Sequence, residues 1–164
     1  MGMYTEFIFG CSLSKDTPKI CIDALDYVIN GENKKPKYEN PETWEEKEYN
    51  NKFIERTSTD DEIQAFIDEY DFGRLFCSGS YYFGAPVSKK FYCDHIDKTY
   101  RISTRANLKN YKQQIEKFIE YIKPYVESGS GFDHKIFAYV QYEEAEFPTI
   151  YGVDGTYKIN AELI

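Results

Sequence analysis

The chain has 164 residues, 41% hydrophobic and 18% aromatic with 16 Tyr and 12 Phe, which suits one domain with a core that needs no disulfide or metal staple. Its formal net charge of −8 argues against direct binding to nucleic-acid phosphate or to an anionic membrane. Cys11, Cys21, Cys77 and Cys93 show no C-x-x-C spacing. With no basic leader and no apolar run of spanning length, a reducing cytoplasm is the expected compartment.

Met3 to Leu13 alternates. Phe7, Phe9, Cys11 and Leu13 share one face, and Glu6, Ile8, Gly10 and Ser12 share the other, which predicts a strand buried on one side. Asp16 or Thr17 before Pro18 reads as a helix start, Cys21, Leu25 and Val28 as its inner stripe, and Gly31 as its end. Residues 31–57 are polar, carry both charges and contain Pro36 and Pro41. They read as an insertion between core elements, with a short helix near Trp44, Glu45, Glu46 and Glu48. The only Trp of the chain either pins the insertion to the body or contacts a partner. Pinning is the expectation, and Trp44 stays in the contact set.

Thr59 with Glu62 forms a capping-box pattern, and Ile63, Phe66, Ile67 and Tyr70 supply an apolar face. Every charge from Asp60 to Asp71 is acidic: Asp60, Asp61, Glu62, Asp68, Glu69 and Asp71. Acid suits the helix start and opposes its end. The run is either a solvated face or a patch for a basic partner. Three strands are expected next, at Arg74 to Phe83, Lys90 to Asp94 and Thr99 to Thr104, as an antiparallel meander. A long helix is expected from Asn107 or Asn110 to Tyr125, with Leu108, Tyr111, Ile115, Phe118, Ile119 and Ile122 inward and Pro124 at its end. Lys135 to Tyr142, Thr149 to Val153 and Thr156 to Ala161 complete the strands, the last two joined at Asp154-Gly155. The predicted fold is a single α+β domain, a two-layer sandwich with a largely antiparallel sheet and helices mainly on one face.

No constellation has catalytic spacing. Cys93 and His95, two apart on a predicted strand, would face the same way, yet no third group orients them as nucleophile and base. His95, His134 and the scattered cysteines have no zinc spacing, and no metal or cofactor is expected. Arg74, Arg101 and Arg105 beside Tyr81, Tyr82 and Tyr100 can hold a small anionic or planar ligand, a nucleotide among them. Arg also pairs with acids on sheet surfaces. With Cys93 and His95 these residues form the ligand-binding or enzyme alternative. Glu143, Glu144 and Glu146 form a second acidic cluster. Repeats and heptads that would favour a virion assembly part are not visible.

The start Met1-Gly2-Met3-Tyr4-Thr5-Glu6, the segment Ser80-Tyr81-Tyr82-Phe83, and Arg105 to Tyr111 form one half of a wider pattern. Ile115 to Ile119 with Pro124, and Tyr142-Glu143-Glu144 before Pro148-Thr149, form the other. This set resembles a family of small uncharacterised bacteriophage and prophage proteins, from which residues 31–57 depart. The resemblance implies a phage accessory protein working in the cytoplasm of a bacterial host, of the kind that blocks host defence, CRISPR effectors included. It carries no catalytic residue to any position. Two readings follow. One is a modulator that binds a host protein, such as a nucleic-acid-binding effector, through Asp60, Asp61, Asp68, Glu69, Asp71, Trp44, Glu143, Glu144 and Glu146. The other is the anionic-ligand binder just described.

Overall fold

The structure is a computed structural model that describes residues 4–76, 88–127 and 136–158. Its elements are β1 (Thr5–Leu13), α1 (Lys19–Asn30), α2 (Trp44–Lys52), α3 (Asp60–Tyr70), β2 (Ser88–Cys93), β3 (Tyr100–Leu108), α4 (Gln114–Ile122), β4 (Val126–Glu127), β5 (Ile136–Tyr142), β6 (Thr149–Gly152) and β7 (Gly155–Lys158). The strands form one sheet in the order β2-β3-β1-β5-β6-β7, and all the pairings among the described residues are antiparallel. This is an α+β fold. β3 pairs with β1 along its whole length, Thr5 against Leu108 through Leu13 against Tyr100. β5 takes the other side of β1 up to Phe9, and β4 takes the same side at Ser12 and Leu13.

The alternation of β1 does what its pattern predicts. Phe7, Phe9 and Leu13 are fully buried, while Ile8 on the opposite face is 38% exposed. On the buried side, the Phe118 ring of α4 packs edge-on against Phe9 at 5.1 Å and Phe76 at 5.2 Å, and tilted on Phe72 at 5.6 Å. α1 packs on α3 and on β2, and α3 on α4, so these three helices cover one face. Ile115, Phe118, Ile119 and Ile122 bury the inner flank of α4, each worth about 1.5–3 kcal/mol of apolar burial. The other face carries Ile8, Gly10 and Ser103 exposed and Arg101 and Arg105 half-buried. At its β2 edge the end of α2 comes close, Lys52 Nζ standing 5.7 Å from the centre of the Tyr92 ring.

The long helix is shorter than its sequence suggests. Asn107 and Leu108 are the last residues of β3, because pairing with Glu6 and Thr5 continues the strand through them. Lys112 and Gln113 then take left-handed backbone, φ 58° and 57°, and Tyr111 is 51% exposed. α4 begins at Gln114, where the Asn110 side-chain oxygen accepts the Ile115 backbone N–H at 3.0 Å. Asn110 was an expected N-cap, and its oxygen does serve the helix start. The expected strand from Arg74 begins instead as turns over residues 71–76. Phe72, Leu75 and Phe76 are spaced to reach under α4, and all three are buried. Its continuation through Tyr81, Tyr82 and Phe83 lies outside the described residues. Gly31, at φ 102°, ends α1 as expected. The last hairpin turns at Val153 and Asp154, with Gly152 paired to Gly155, one residue earlier than predicted.

Candidate functional site

Two aspartates on α1 explain how the polar insertion is held. Asp23 and Asp26 are fully buried. The Asp26 carboxylate accepts from Lys34 Nζ at 2.7 Å, from Arg56 Nε at 2.7 Å and from Asn30 Nδ2 at 2.6 Å. Arg56 also donates from Nη2 to the Gly31 carbonyl at 2.6 Å, and its guanidinium lies 5.5 Å from the centre of the Tyr27 ring. Lys34 reaches on to the Ile54 carbonyl. One carboxylate therefore clamps both ends of the segment. A buried acid with several donors is stable where an unpaired one is not. Asp23 accepts from Lys19 at 2.6 Å and from the backbone N–H groups of Thr57 and Ser58 at 3.1 and 2.9 Å. Burial pushes its carboxyl up, but the bonds from Lys19 and Ser58 outweigh that and hold it below the usual carboxylate range. Burial likewise lowers the Lys34 ammonium, against the pull of Asp26.

Above this neck the insertion is tied side to side. Asn50 accepts the Tyr38 N–H at 2.8 Å and donates to its carbonyl at 2.9 Å. Tyr49 donates to the Lys35 carbonyl and packs its ring between Tyr38 and Phe53. α2 starts with a full capping box, Thr43 with Glu46. It buries no residue, and Trp44 at its first turn is 72% exposed. The expectation that Trp44 pins the insertion is therefore corrected. Polar anchors 10 or more residues from it in sequence do that work, and the indole is left facing water.

The acidic residues divide by role. Thr59 and Glu62 make the expected capping box of α3. Asp60, Asp61, Asp68 and Glu69 are exposed on that helix. Asp71 ends it in left-handed backbone at φ 53° and accepts from Gln114 at 3.2 Å, which ties α3 to α4. In the β5–β6 turn, Glu143 accepts the Tyr4 N–H at 2.9 Å, so it fastens the start of β1, while Glu144 and Glu146 are exposed.

Arg101 and Arg105 lie on the sheet face opposite α1, α3 and α4 with their charges already matched. Arg101 meets Asp94 at 3.2 Å and Asp97 at 2.6 Å and donates to Ser12 Oγ at 3.2 Å. Arg105 pairs with Glu6. The Ile96 N–H holds the Asp94 carboxyl below the usual range, as Thr99 does for Asp97. Arg101 with Gly10, Ser12, Ser103, Lys90 and Glu127 lines an open cavity of about 400 Å³. Arg74 is exposed in the turn after α3. Tyr81, Tyr82, Cys77 and His134 lie outside the described residues. His95 sits in the turn after β2, so the expected same-face strand pair with Cys93 does not form. Burial raises the Cys93 thiol, the opposite of what a thiolate nucleophile needs. No group of three or more metal-ligating side chains occurs among the described residues, and no helix among them is long and apolar enough to cross a membrane.

The fold and site thus define an α+β protein with a docked polar insertion and a sheet that carries α1, α3 and α4 on one face. A scan of protein-family models, a search of curated proteins and a search of solved structures each return no match. Sequence reasoning missed Asp23 and Asp26. Their signal was present: they sit at i and i+3 among Cys21, Ile22, Ala24 and Leu25, where an acid on every exposed turn would have no reason to be flanked so closely by apolar residues.

Proposed function

We propose that the chain is an interaction protein, a phage-encoded accessory factor that binds a protein of its bacterial host. The observation that carries this reading is Trp44, 72% exposed on a helix that buries nothing yet is held by a buried ionic clamp. Tryptophan is a frequent anchor at protein interfaces, where its ring fills a partner pocket. Holding the helix rigid lowers the ordering cost of docking. The phage context comes from the family resemblance. The acidic flank of α3 complements a basic groove, the surface that a nucleic-acid-binding defence effector presents to phosphate. Inhibition of such an effector, a CRISPR nuclease among them, follows from covering that groove.

Retention of partners from bacterial lysate on the wild-type chain, on Trp44→Ala and on Asp68→Lys/Glu69→Lys tests the reading. A specific host protein should be retained by the wild type and lost, by tenfold or more at roughly 1.4 kcal/mol per decade, from each variant. Lysines in the last turn of α3 suit the helix dipole, so their effect cannot come from loss of the helix. Binding of the recovered partner should shift the single-tryptophan emission to the blue. Equal retention on all three chains would sink the proposal.

A further inference from the structure

Lysines from separate stretches converge where the insertion meets the edge of the sheet. Lys34 and Lys35 follow α1, Lys52 ends α2, and Lys89 and Lys90 lie on β2. With Tyr92 they line a cavity of about 460 Å³ that no carboxylate of the described residues lines, in a chain with 28 acidic and 20 basic residues. Two of these charges are matched from outside the cavity, Lys34 by Asp26 and Lys52 by Glu48. Lys35, Lys89 and Lys90 make no ion pair within 4 Å among the described residues, although Glu48 feels the charge of Lys90. Lys89 makes only a long bond, 3.4 Å, to the Val28 carbonyl. The walls also carry aromatic faces. Lys90 and Lys52 flank the Tyr92 ring at 5.2 and 5.7 Å, and Lys34 stands 4.3 Å from the Phe53 ring centre.

β2 is one of the two edge strands of the described sheet, and lysines on an edge discourage pairing with another chain. That accounts for Lys89 and Lys90. It does not account for Lys35 and Lys52, which the clamped insertion brings to the same opening. We propose that this cavity binds a nucleotide-sized phosphate ester, its anionic group met by Lys35 and, from the two sides of the edge strand, by Lys89 and Lys90, and its planar ring lodged among the Tyr49, Phe53 and Tyr92 side chains. The volume falls in the range of small-molecule sites, and amine–phosphate contacts beside an aromatic wall are what such a ligand requires. A longer nucleic acid strand is disfavoured, because outside the cavity it would run along the surface of a chain with net charge −8. Trp44 does not line the cavity, so this site stands independently of the protein-binding surface.

Calorimetric titration of the full chain with ATP, inorganic triphosphate and a short thymidine oligonucleotide tests it. ATP should bind, triphosphate more weakly, and affinity should fall as salt rises. Lys35→Ala/Lys89→Ala/Lys90→Ala should weaken ATP binding at least about tenfold, while the charge-matched control Lys15→Ala/Lys109→Ala/Lys117→Ala should keep it. Amide NMR shifts of the wild-type chain with ATP should be confined to residues 30–35, 49–53 and 89–92, which locates the site without any variant. The proposal is overturned by absence of ATP binding at low salt, by equal effects of the two triple variants, by NMR shifts elsewhere, or by the oligonucleotide binding more tightly than ATP.

Discussion

Helices α2 and α4 each have nine residues, and they relate to the fold in opposite ways. α4 is fixed along its flank, with Ile115, Phe118, Ile119 and Ile122 sunk between the sheet and α3. α2 buries no residue: it is fixed at its start by the Thr43–Glu46 capping box, along one side by Tyr49 and Asn50, which bond back to Lys35 and Tyr38, and at the neck of its segment by Asp26, Lys34 and Arg56. Flank anchoring uses up the face that packs. Polar anchoring leaves the flank at Trp44 available, at the cost of burying charge. Nonspecific burial stabilises α4 gradually, residue by residue, whereas the segment that carries α2 is held to the body through two buried carboxylates, Asp23 and Asp26.

The contrast can be broken from either side. Phe118→Ala removes the ring that joins Phe9, Phe72 and Phe76 and should cost about 4 kcal/mol in urea unfolding, with every region destabilised together. A loss under about 1 kcal/mol would show that the flank of α4 is not integral to the core. Asp26→Asn keeps the shape and leaves Lys34 and Arg56 uncompensated, so a loss of about 3 kcal/mol is expected. Here hydrogen exchange should speed up in residues 31–57 before it does in β1 and β3. Uniform acceleration would mean that the insertion has no separate anchor.

Acid should loosen the same neck more gently. The folded Asp23 carboxyl lies below its ordinary value, so its contribution is full above the unfolded value of about 3.9 and disappears as pH falls through the folded one. Stability measured across that acid range should drop less steeply in Asp23→Asn than in the wild type. The smallest effect is expected at Trp44→Ala. An exposed indole should change unfolding stability by no more than about 0.5 kcal/mol, in contrast to its effect on partner binding. A large loss would mean that Trp44 does pack on the body.

What could be read from the sequence were the local patterns. The alternation of β1, the Thr59–Glu62 capping box, the stop at Gly31 and the two-layer α+β architecture all depend on neighbours within a few residues. What could not be read depends on distant partners. Leu108 fits a helical stripe with Ile115 until its pairing with Thr5, across the chain, makes it a strand residue. Asp26 looks like a solvated flank of α1 until Arg56 arrives 30 residues later. Trp44, the residue that most invites a core assignment by type, lies on the one described helix with no buried side. The lysines of the cavity are spread from 34 to 90, and nothing in their spacing announces that they meet. The acidic run on α3 was legible as charge, though its sequence did not separate Asp71, which braces α4, from Asp68 and Glu69, which face water.

The position of β1 inside the sheet also sets a timetable. Its neighbours on one side are residues 100–108 and on the other 126–127 and 138–142. Translation at about 5–20 residues per second separates Thr5 from Leu108 by roughly 5–20 s. Through that interval a segment with Phe7, Phe9 and Leu13 on one side has neither strand to pair with. Pairings this far apart in sequence close slowly. The central strand of the finished sheet is therefore the one that waits longest, and the cell must keep it from other company until the second half of the molecule exists.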